Sequence, residues 1–138
     1  MDGVYVALTA TLAQPGRSLV VVYTDGSDIS SWLTSDDVMA SAGRSNAVVC
    51  AVTVAGVQSR ALDQLAAATG GQVLRVSSTA DLRGAFQKLL QDFRNRYILS
   101  YTPTGVPLGG VHRLDVRVAR RGLTVKARPG YIGIGQER

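Results

Sequence analysis

Asp25, Ser27 and Asp28 sit in VVVYTDGSDISSW, where an apolar run stops and oxygen donors begin. Carboxylates and hydroxyls in this pattern are ligands for a hard divalent cation. Mg²⁺ takes six oxygens, with one or two carboxylates first and water for the rest. The same residues also suit a plain turn, because Asp-Gly reverses a chain and Ser or Asp side chains satisfy nearby backbone. Both readings stay open for this stretch. Ser30 and Trp32 follow at once. An indole exposed beside such a rim would suit partner binding, and packing over the helix that starts near Ser35 would suit it equally.

Other chemistries find little footing. His112 is the single histidine, on the apolar register beside Leu114, and reads as a partly packed residue. One histidine and no motif around any serine leave a Ser-His-Asp arrangement without support. Phosphate-cradling glycine loops and an Asp-x-Asp pair are absent from the sequence. Cys50, alone within AVVCAVTV, reads as a small buried hydrophobe. A non-catalytic chain is expected.

The elements that must hold the acidic turn are legible. With 138 residues and 46% hydrophobic content, one domain of ordinary size is expected. Val4, Ala7, Leu8, Thr11 and Leu12 share a helical face over 3–13, ending before Gln14-Pro15-Gly16. SLVVVYT at 18–24 has the continuous apolar run of a strand covered on both faces, and AVVCAVTV at 47–54 repeats it. Thr34 or Ser35 caps a short helix that has Asp36 and Asp37 in its first turn and stops at Gly43. A helix over 60–68 closes at Gly70-Gly71, and a more polar strand over 72–77 belongs nearer an edge. Leu82, Ala85, Phe86, Leu89, Leu90 and Phe93 then mark the strongest helix, capped by Ser78 or Thr79. Alternating strands and helices call for a parallel sheet.

From Tyr97 the period becomes two. YILSYT, HRLDVRV and LTVKAR read as strands, with a tight turn at Arg120-Arg121-Gly122. Tyr97, Tyr101 and Tyr131 could form a recognition surface, but closing a core under this appendage is the stronger expectation. Its outer face would gather Arg113, Arg117, Lys126 and Arg128. Charge divides the same way: residues 1–70 carry three Arg and six Asp (−3), and residues 71–138 carry twelve Arg plus Lys and four acids (+8). A basic face of this kind is either a solvated surface or a site for nucleic acid or another acidic polymer. Few aromatics interleave it, so nucleic acid is the weaker expectation.

Taken in order, LVVVYTDGSDISS, TSDDVMASAGRSNAVVCAVTV, LDQLAAATGGQVLRVSSTADLRGAFQKLLQDFRNRYILSYTP and HRLDVRVARRGLTVKARPGYIG resemble the second half of a von Willebrand factor A domain, of the acidobacterial related type. The resemblance covers nearly the whole chain. It implies a partial doubly wound, Rossmann-like α/β fold with helices on both faces over 1–96, and an antiparallel hairpin extension over 97–138. It also implies a protein-interaction module whose cation is completed by an acidic residue of the partner. Asp25 matches the Thr-Asp-Gly aspartate of that metal site, and Asp2 matches a non-ligand aspartate at the start of the preceding helix.

The family's Asp-x-Ser-x-Ser strand and its threonine loop have no counterpart here, so the metal-ion-dependent adhesion site is expected to be incomplete and Mg²⁺ binding weak or absent. The resemblance also makes strand 18–24 a neighbour of the absent strand, which leaves an apolar edge and predicts a homodimer through it, an aggregation-prone fragment or a piece of a longer product. No stretch is long enough to span a membrane. The first residues lack the basic start of an export signal, although family relatives are often secreted or envelope-associated.

Overall fold

The computed structural model describes residues 1–25, 31–107 and 109–133. Ser27, Asp28 and Ser30 lie outside the described residues. The element order is α1 (Asp2–Leu12), β1 (Leu19–Thr24), α2 (Ser35–Arg44), β2 (Val48–Val54), α3 (Arg60–Thr69), β3 (Val73–Val76), a 3₁₀ turn (Thr79–Asp81), α4 (Leu82–Arg94), β4 (Val111–Arg113) and β5 (Gly130–Ile132).

The first three strands form a parallel sheet in the order β1-β2-β3. β2 is central and its residues Val48 to Thr53 are all buried, as its continuous run of small and β-branched residues requires. Side chains alternate across it. Ala47 and Val49 meet Val4 and Leu8 of α1, Val38 and Ala42 of α2 and Leu65 of α3 on one face. Val48, Cys50 and Val52 meet Ala85 and Leu89 of α4 on the other. Helices therefore cover both faces of an α/β sheet. Burial pushes the Cys50 thiol pKa up, consistent with a packed residue.

Local chemistry sets the boundaries. The Thr34 hydroxyl accepts the Asp37 N–H at 3.3 Å while the Asp37 carboxylate accepts the Thr34 N–H at 3.0 Å, a reciprocal cap that opens α2. The Thr34 hydroxyl and N–H hold the Asp37 carboxyl below its ordinary pKa. α3 ends at Gly70 in the left-handed region, φ 72°. Thr69 then joins helix to sheet, accepting the Val49 N–H at 3.0 Å and donating to Leu65 O at 2.9 Å.

β1 departs from expectation. Only Val20 is buried; Leu19, Val21 and Val22 are half-buried and Tyr23 is exposed. The strand lies at the edge of the sheet, and its α4-side face runs past the end of the cover that α4 provides.

The C-terminal region carries a small antiparallel pair, as expected, but from different strands. The three strands expected over 97–102, 112–118 and 123–128 are replaced by one short ladder, with Val111, His112 and Arg113 antiparallel to Ile132, Tyr131 and Gly130. Residues 97–107 are exposed and outside any strand. Period-two alternation needs a surface to bury one face against, and a lone two-stranded pair offers little. Part of the pattern persists, since His112, Leu114 and Val116 are half-buried between exposed neighbours. Gly122 turns at φ 80°, where the turn was expected. Tyr131 does pack as expected, with its ring edge-on to Tyr101 at 6.1 Å and tilted over His112 at 5.1 Å, but Tyr97 is 89% exposed.

Candidate functional site

The carboxyl ends of the strands and the amino ends of the helices meet on one side of the sheet. Asp25 follows the last residue of β1 there. The start of α1 grips the segment that comes after it. Both Asp2 carboxylate oxygens accept the Trp32 N–H, at 3.0 and 3.1 Å, and one also accepts the Leu33 N–H at 3.0 Å. The Met1 ammonium and the Asp2 N–H donate to Ser31 Oγ. A carboxylate in this role is a charge-assisted acceptor for backbone donors.

The grip decides where Trp32 goes. Its main chain is held while its side chain stands in solvent, 94% exposed. Packing over α2 is thereby overturned: Leu33 turns into the core instead. Asp2→Ala is expected to cost about 1 kcal/mol, because the part-buried Leu33 N–H and the exposed Trp32 N–H lose their charged acceptor. A thermal melt beside the parent checks this.

A cleft of about 670 Å³ opens next to the grip, lined by Met1, Gly3, Val4 and Ala7 of α1, by Val20 to Thr24 of β1, by Ser31 and Leu33 to Ser35, and by Ser59, Ala61 and Leu62 at the start of α3. Ser59 is already used, its hydroxyl accepting the Leu62 N–H at 3.4 Å. Asp25 and Trp32 are not among the lining residues. No group of three or more His, Cys, Asp or Glu able to hold a metal ion occurs among the described residues. Asp2 spends its oxygens on backbone donors, and Asp25 is exposed just past the end of β1.

The four basic residues do not share one face of a hairpin, because the hairpin that would align them does not form. Arg128 is half-buried and donates to Ala42 O at 2.6 Å, in the last turn of α2. Burial, with Arg17 nearby, lowers its pKa from the ordinary value. Lys126 donates to the Gln72 side chain. Arg117 pairs with Asp115 on the surface at 2.6 Å. Arg113 is exposed. Sequence reasoning passed over Arg96, whose guanidinium donates to Gly70 O at 2.7 Å. Arg96 and Arg128 thus both serve carbonyls at helix carboxyl ends, where a cation suits the dipole.

Comparison of the chain with protein-family models, with curated proteins and with solved structures finds no match. The site therefore rests on its own geometry. No helix among the described residues is long and apolar enough to cross a membrane.

Proposed function

We propose that the chain is a non-catalytic protein-interaction module of the von Willebrand factor A type, with a partial metal-ion-dependent adhesion site. The observation that carries this is Trp32. A large apolar side chain almost wholly in solvent, on a main chain fixed by a carboxylate, is a rigid anchor that gains most when a partner covers it. Asp25 stands at the end of the neighbouring strand and supplies one oxygen ligand to the metal part of the reading.

The test is selection of a displayed peptide library on the immobilised chain, with and without Mg²⁺, counter-selected on Trp32→Ala. Peptides that need Trp32 support the proposal, and peptides indifferent to it count against it. Where Mg²⁺ strengthens capture, Asp25→Ala is expected to abolish that dependence, read as equal binding with Mg²⁺ and with a chelator. The same reading includes self-association through the apolar edge at 18–24, since β1 has β2 on one side and no strand on the other among the described residues.

A further inference from the structure

The cleft beside α1 is lined by five consecutive residues of β1, Val20 to Thr24. The cleft runs from β1 between the start of α1 and the start of α3, and β1 has β2 on one side and no strand on the other among the described residues. That edge is open to another strand. The chain also carries a segment suited to it. Tyr97, Ile98, Leu99 and Tyr101 are 89%, 74%, 75% and 59% exposed, outside any ladder, and Pro103 bounds them; Tyr101 gives up its edge-on contact with Tyr131 in the exchange. Such β-branched and aromatic residues gain most from a pleated, half-buried surface.

We infer that residues 97–101 of a second copy add to the open edge of β1 as an antiparallel strand, and that exchange is reciprocal. This rests on the reading of that edge as an interaction surface.

Charge sets the direction. Arg94 precedes the donated segment and is exposed, Asp25 follows β1, and Arg17 precedes it, while Arg96 stays on Gly70 O. Antiparallel addition brings the donor's Arg94 toward the Asp25 end of β1, whereas parallel addition brings it toward Arg17. Opposite charges across the pair favour the first.

The faces set the register. Val20 and Val22 look toward the α1 side, where the helix narrows the cleft. Leu19, Val21 and Tyr23 look toward the open side. The smaller Ile98 and Ser100 fit the first side and Tyr97, Leu99 and Tyr101 the second. Tyr97 then lies beside Tyr23, Leu99 beside Val21 and Tyr101 beside Leu19.

The area is of the right order. Each tyrosine buries roughly 150–250 Å² when covered. Reciprocal exchange covers four of them plus the aliphatic residues, approaching the roughly 1,200–2,000 Å² of a stable interface. The opposite edge is a poorer acceptor. β3 has only four residues against six in β1, and the charged side chains Arg75, Asp81 and Lys88 line the cleft along it and blunt that edge.

Sedimentation of the full chain tests this. The parent is expected to dimerise. Ser100→Pro and, separately, Leu99→Pro remove a backbone donor on either side of the segment and should raise the dissociation constant at least about tenfold. Neither touches a ladder of the folded chain, so melting should be unchanged. Disulfide trapping reads the direction, with the buried Cys50 held out of reach: Tyr23→Cys with Tyr97→Cys should cross-link between copies, and Tyr23→Cys with Tyr101→Cys should not. A parent that stays monomeric at high concentration overturns both this inference and the edge reading. A parent that associates as tightly as its proline variants overturns the donor segment and leaves the edge reading standing. Cross-linking through Tyr101→Cys instead overturns the antiparallel register.

Discussion

Gly71→Ala is expected to destabilise the chain by at least about 3 kcal/mol, at the upper end of overpacking effects. The new Cβ would stand 1.8 Å from Val49 O and 2.7 Å from Val49 C. These are main-chain atoms of the central strand, and no side-chain rotation relieves the clash. Gly71 cannot move away either. Its N–H donates to Ala66 O at 2.7 Å, and the next residue's carbonyl accepts the Ala51 N–H at 3.0 Å. The strain must pass into the β2-β3 pairing. For a chain of this size such a loss lowers the melting temperature by roughly 10 °C.

Gly84→Ala supplies the control, since its added Cβ meets nothing within 4 Å and it lies within α4. That change should stabilise by about 0.5–1 kcal/mol through helix propensity alone. One chemical edit at two glycines should therefore give opposite signs in calorimetry. Equal effects would mean that Gly71 is not in close contact with β2.

Trp32→Ala is expected to have the largest effect on recognition. Anchors of this type lose at least about 2 kcal/mol on truncation, roughly thirtyfold in affinity. Stability should stay within about 0.5 kcal/mol of the parent, because a side chain 94% exposed gives up almost no packing. This separation is what distinguishes an anchor from a core residue. Calorimetric melting and titration with a peptide selected on the parent measure the two quantities independently. A large stability loss, or unchanged affinity, would remove Trp32 from the interface.

Much of the sheet and its helices could be read in the sequence because the signals are local. The capping pair Thr34 and Asp37, the stop at Gly70 and the small and β-branched run 48–54 each act within a few residues. The site was less legible because its decisive contacts are distant in the chain. Asp2 and Trp32 are 30 positions apart, and Asp2 taken alone reads only as an acid in a first helical turn. Ser31 gave no signal, since its partner is the start of the same distant helix. The tail misled for a different reason. Alternation at 97–102 and 123–128 reports what a strand would bury, but whether a neighbouring strand is there to pair with is not encoded in the period. Arg96 and Arg128 look like surface charges until α2 and α3 place carbonyls in front of them.

Those two guanidiniums act as rivets at either end of a long strap. Between them runs a stretch with exposed arginines at 113, 117, 120 and 121, well suited to an arginine-directed protease. A nick within it would divide the polypeptide while leaving the carboxyl-terminal fragment fastened to the rest by Arg128 on Ala42 O and Lys126 on the Gln72 side chain. The cut molecule would hold together in native solution and come apart only in denaturant.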